Sequence, residues 1–87
     1  MHMVDLNALE IEPRVLKLIS KKTALELSVL PISQKNDTVL VAVPDIFRKT
    51  LMTDIHFILG KRKVKPIPVS RDNIIAAIHH FYGPVER

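Results

Sequence analysis

The spacing of apolar residues changes along the chain, and each change marks an element. Pro13-Arg14-Val15-Leu16-Lys17-Leu18-Ile19 puts Val15, Leu16 and Ile19 on one stripe, with proline at a first helical position where its missing N–H costs nothing. This predicts a short helix over 13–19. Ser20 is a suitable N-cap for a second helix from Lys21 to about Leu27, with Ala24 and Leu27 facing inward. The pattern then tightens to strands. Val29–Ser33 reads as one strand, with Pro31 suited to an edge, and Gln34–Asp37 as a polar hairpin turn. Thr38–Val43 is almost continuously apolar, as a central strand covered on both faces would be.

After Pro44, Asp45 is placed to cap a helix on which Phe47, Leu51, Ile55 and Ile58 step by four, four and three, with Met52 and Leu59 beside them. Gly60 closes it. Val64–Val69 reads as a third strand, pushed to an edge by Pro66 and Pro68. Ser70 and Asp72 open a last helix whose apolar face holds Ile74, Ile75, Ile78, Phe81 and Tyr82, stopped by Gly83-Pro84. The order is α-α-β-β-α-β-α. The fold class is α+β: a small three-stranded mixed sheet packed with helices, with an antiparallel hairpin and a right-handed β-α-β unit.

Eighty-seven residues suffice for one domain. The apolar fraction of 47% excludes a disordered chain, which needs low hydrophobicity and high net charge. Met1-His2-Met3 reads as a cloning remnant, residues 4–83 as one domain, and 84–87 as the start of a linker or a boundary within a longer protein. No cysteine is present, so neither a disulfide nor a thiolate metal site is available. No apolar run approaches the roughly 20 residues of a membrane span. The net charge of +4 suits acidic partners, or simply solubility.

Catalytic patterns are missing from the sequence. It has no GxxxxGK[ST] phosphate loop and no GxSxG, and its two glycines fall at helix ends. Of the histidines, His2 belongs to the remnant, His56 lies near the end of its helix, and His79 and His80 point about 100° apart on theirs, so they cannot share one metal. Asp45 and Asp72 are explained by capping and Asp54 lies in mid-helix, and nothing in the sequence suggests two carboxylates placed around one cavity for acid–base work. The expectation is a non-enzyme with no cofactor and no metal. The basic run Lys61-Arg62-Lys63 with Lys65 could meet phosphates or an acidic partner, or be a solvated loop. Without interleaved aromatics it does not read as a nucleic-acid site.

Ser20-Lys21-Lys22-Thr23-Ala24, Val29-Leu30-Pro31-Ile32, Val39-Leu40-Val41-Ala42-Val43-Pro44-Asp45, Thr53–Gly60 and Ile74–Gly83 together resemble the N-terminal domain of type II secretion and type IV pilus assembly ATPases, the GspE N-terminal and MshEN-like family. The resemblance runs from about residue 5 to residue 83 and rests on the order and spacing of these segments. The family usually has proline where Ser20 stands, and an Asp-Pro pair where this chain has Asp45-Ile46 after Pro44.

The resemblance implies a cytoplasmic adaptor that precedes an ATPase domain. It docks the motor onto the cytoplasmic part of an inner-membrane assembly protein, and so is peripheral to that membrane through its partner. The MshEN branch of the family binds cyclic di-GMP through a motif with Arg-Leu-Gly and later glycines. This chain has no Arg-Leu-Gly and no glycine before Gly60, so nucleotide binding is the alternative rather than the leading expectation. Contact surfaces are expected on the first helices or along the Val64–Val69 edge, while Leu6, Leu9 and Ile11 of the N-terminal segment either add to a partner surface or fold back on the domain. Arg14, Lys21, Lys22, Lys61, Arg62, Lys63 and Arg71 are the candidate partner- or anion-contacting residues.

Overall fold

The computed structural model describes residues 10–45 and 49–83. The readings made above for residues 1–9, for Ile46 and Phe47, and for 84–87 lie outside them. The described elements are α1 (Pro13–Leu16), α2 (Lys21–Leu27), β1 (Leu30–Lys35), β2 (Thr38–Pro44), α3 (Leu51–Leu59), β3 (Lys63–Val69) and α4 (Arg71–Tyr82). The class and order are those expected from the sequence. The three strands form one mixed sheet in the order β1-β2-β3, antiparallel on one side of β2 and parallel on the other.

Two helix boundaries differ from the expected ones. α1 stops at Leu16 rather than Ile19, and the chain goes on through tighter backbone bonds, Leu18 N–H to the Val15 carbonyl at 3.0 Å and Ile19 N–H to that of Leu16 at 3.4 Å. Val15 and Ile19 are buried all the same, so the apolar stripe fits a helix or a helix plus a turn equally well. α3 begins at Leu51, with Thr50 at the N-cap position, so Asp45 lies too far upstream to reach its N-terminal N–H groups. Ser20 and Ser70 cap as expected: their hydroxyls accept from Thr23 N–H at 3.2 Å and Asn73 N–H at 3.3 Å.

The hairpin turn is shorter than its polar stretch. Lys35 pairs with Thr38, leaving Asn36-Asp37 at the tip, and Asn36 takes the left-handed φ of 58° that the first position of a primed turn requires. Pro31 is accommodated beside a bulge at Ile32, where the ladder skips a residue. On β3, Lys63 N–H donates to the Asp37 carbonyl at 2.7 Å, which fixes the parity of the strand. Residues 63, 65, 67 and 69 turn their N–H groups toward β2, and 64, 66 and 68 turn theirs away. Pro66 and Pro68 therefore cost the sheet nothing, and at the free edge only Val64 keeps a donor.

Val39, Val41 and Val43 are fully buried on one face of β2 and join Ile55, Leu59, Ile74, Ala77 and Ile78 in the core. α1 lies against β1, α3 against β3, and α4 against β1, β2 and α2. The end of α4 is fastened to the α1–α2 junction. The Tyr82 hydroxyl lies 2.6 Å from the Ile19 carbonyl and 3.1 Å from that of Leu16, and Lys21 Nζ donates to the Gly83 carbonyl at 2.6 Å. These bonds bring side-chain donors to carbonyls at the α1–α2 junction and at the end of α4, that of Leu16 in addition to its long bond from Ile19 N–H.

Candidate functional site

The fold scatters some of the basic residues singled out above and gathers others. Lys21 is engaged at the C-terminal end of α4, with exposed Lys22 beside it in α2. Arg71 sits at the opposite end of α4, where its Nε donates to the Ser28 hydroxyl at 3.1 Å. Ser28 ends α2 in a left-handed conformation with φ of 59°, and it is buried. The length of α4 separates Arg71 from Lys21 by about 17 Å. β3 likewise holds Arg71 and the Lys61–Lys63 run about 20 Å apart.

Lys61, Arg62 and Lys63 come instead to the hairpin end of the sheet. Arg62 folds back to donate to the Leu59 carbonyl at 3.1 Å, capping α3. Arg14 approaches the same end, donating to Gln34 Oε1 at 3.4 Å while its other nitrogen pairs with Glu12 at 2.8 Å. Both arginines thus already have acceptors. Lys61 and Lys63 make no such bonds among the described residues, and strand register arranges the lysines of this end.

Lys35, Thr38 and Lys63 stand in one row across the three strands, and Ser33, Leu40 and Lys65 in the next. Residues directly across a ladder share a face, as do alternate residues along a strand. The two rows therefore lie together on the face opposite Val39 and Val41. Lys35, Lys63 and Lys65 are exposed, and Ser33, Thr38 and Leu40 are only partly covered. Lys63 and Lys65 are about 7 Å apart at their Cα atoms, and Lys35 lies about 10 Å from Lys63 across β2. Asp37 is the acidic residue within 33–40 and 61–67. Spacing along the chain did not link Lys35 to the basic run. The turn length sets the β1–β2 register, and the β2–β3 register completes the link.

A cleft of about 480 Å³ opens between the segment before α1 and strand β1, lined by Glu10, Ile11, Glu12, Val15, Ile32, Ser33 and Gln34. Its carboxylates disfavour an anionic occupant. His56, His79 and His80 are exposed, and His80 stacks edge-on against Phe81 with ring centroids 4.8 Å apart. Among the described residues no three His, Asp or Glu side chains gather into a metal-binding set. Burial pushes the Tyr82 phenol up to about 12. No described helix is long and apolar enough to cross a membrane.

A search of the curated proteins gives no match. Among solved structures, the one described as "Structure of MshE with cdg" superposes with a TM-score of 0.82 at 16% identity, covering 94% of this chain and 59% of that one. At that identity the likeness is one of fold. The chain spans somewhat less than two thirds of the MshE chain it matches. Its sequence matches the MshEN domain family over residues 1–87, and the chain belongs to that family.

Proposed function

We propose that this domain is a non-catalytic adaptor of a bacterial secretion or pilus assembly ATPase. It works in the cytoplasm and docks the motor to the cytoplasmic part of an inner-membrane assembly protein. Membership of the MshEN family supports this reading. The observation that carries it is an apolar core that buries most of the sheet and leaves a basic, exposed corner at its hairpin end, which suits recognition at a surface rather than chemistry in a pocket. The test is binding of the purified chain to the cytoplasmic domains of the source cell's inner-membrane assembly proteins. Saturable binding to one of them supports the adaptor role, and failure to bind any of them overturns it.

A second reading, a regulatory domain for cyclic di-GMP, is favoured by one observation: the MshE structure of the same fold was solved with cdg. Against it stand the missing Arg-Leu-Gly and the two glutamates in the cleft beside α1. A ligand that binds only the folded state raises its melting midpoint, so a thermal shift with cyclic di-GMP separates the two readings.

A further inference from the structure

Resting on the adaptor reading, the geometry points to the hairpin-end face of the sheet, centred on Leu40 and bordered by Lys35, Lys63 and Lys65, as the docking surface, and to an acidic amphipathic helix of a partner protein as its occupant. The three lysines are exposed and share a face with the partly covered Ser33, Thr38 and Leu40. A half-buried leucine bordered by three lysines complements a helix whose glutamates flank an apolar residue, and the glutamate-lined cleft beyond Ser33 marks the limit of this surface on the β1 side. The spacing agrees. Glutamates at i and i+4 on a helix are about 6 Å apart, close to the roughly 7 Å between Lys63 and Lys65 along β3.

The free edge of β3 does not suit a partner that binds by strand addition. It keeps one N–H donor, at Val64, because Pro66 and Pro68 occupy the other outward positions. A partner is thereby directed to the face of the sheet rather than to this edge. The chemistry of the cations also separates a carboxylate-bearing helix from a nucleotide. Arginine forks grip phosphate bidentately, but Arg14 and Arg62 at this end already have acceptors. What is presented are lysines, point charges on mobile stems spread over about 10 Å of a flat surface, matched to several separated carboxylates.

The test uses the full chain in amide NMR titrations with a synthetic amphipathic helix of about 15 residues bearing Glu pairs at i and i+4. A second peptide with Gln in place of Glu serves as control, and cyclic di-GMP and vesicles of anionic lipid are run alongside. The expected result is shifts confined to the Lys35, Thr38, Leu40, Lys63 and Lys65 region with the Glu peptide, fading with added salt and absent with the Gln peptide. The double variant K63E/K65E, at exposed sites and folded by its unchanged melting midpoint, should weaken the peptide roughly tenfold or more. Equal binding of the Gln peptide overturns the proposal, as do shifts elsewhere or tighter occupation of these lysines by cyclic di-GMP or the vesicles.

Failure here is distinguishable from failure of the adaptor reading. If an inner-membrane protein binds the wild type and K63E/K65E equally, the surface is wrong and the adaptor reading stands. If the Glu peptide binds these lysines but no inner-membrane protein binds the chain, the adaptor reading falls.

Discussion

Tyr82 offers the sharpest test of how the two ends of the chain are held together. Its hydroxyl lies 2.6 Å from the Ile19 carbonyl and 3.1 Å from that of Leu16, bridging the end of α4 to the α1–α2 junction. Tyr82→Phe keeps the ring and removes only this donor. A net hydrogen bond contributes about 1 kcal/mol, and stranding its acceptor adds to the loss. The site is half-buried, so water partly replaces the lost donor, and the expected cost is about 1.5 kcal/mol. For a domain of this size the melting midpoint should fall by roughly 6–10 °C.

The pH dependence carries the sign. Burial raises the Tyr82 phenol from 10.0 to about 12, so ionising it is harder in the folded chain than in the unfolded one. Its contribution is complete below pH 10 and is lost as pH rises from 10 toward 12. Urea melts of wild type and Tyr82→Phe should therefore show a constant gap from pH 5 to 9 that narrows above pH 10. A gap that is absent at neutral pH, or one that widens above pH 10, would refute the reasoning.

Other substitutions probe the core, the caps and the surface. Ile55→Ala opens a cavity at a fully buried position between α3 and the sheet, and should cost about 3 kcal/mol in chemical denaturation. Ser70→Ala removes the acceptor for Asn73 N–H and should cost about 1 kcal/mol by the same measurement. Ser28→Val forces a β-branched residue into a left-handed site and deletes the acceptor of Arg71, for a loss of about 2 kcal/mol, whereas Ser28→Gly should lose less because its backbone strain is relieved. Lys63→Glu with Lys65→Glu should leave the unfolding free energy within about 0.5 kcal/mol of wild type in chemical denaturation, because both side chains are exposed.

Local chemistry made much of this architecture legible in the sequence. The four-then-three spacing of Leu51, Ile55 and Ile58 found α3 and left Phe57 off its apolar stripe, and Phe57 is 88% exposed. Ser20 and Ser70 announced their helices because a hydroxyl beside an apolar period has few other uses. The end of α1 was not legible, since Val15 and Ile19 reach the core whether residues 17–19 are helix or turn. Nor was the start of α3: Asp45 is a good cap by type, whereas the helix from Leu51 has Thr50 at its N-cap position.

The lysine face was hidden for a different reason. Lys35 and Lys65 come together only through two strand registers, one fixed by the Asn36-Asp37 turn and one by the Lys63–Asp37 bond. Linear spacing shows the basic run but not which face it shares. The candidates Lys21 and Arg71 illustrate the converse: their charges stand out in the sequence, yet in the fold they serve as ties to Gly83 and Ser28.

The central claim, that this MshEN domain docks a motor to a membrane protein, is tested most directly by titration calorimetry. The purified chain is titrated with the cytoplasmic domain of each inner-membrane assembly protein of the source cell, at low and at high salt. Saturable one-to-one binding to one of them is expected, weaker at high salt as a lysine-bordered surface requires. Heats of dilution alone across the whole set would contradict it.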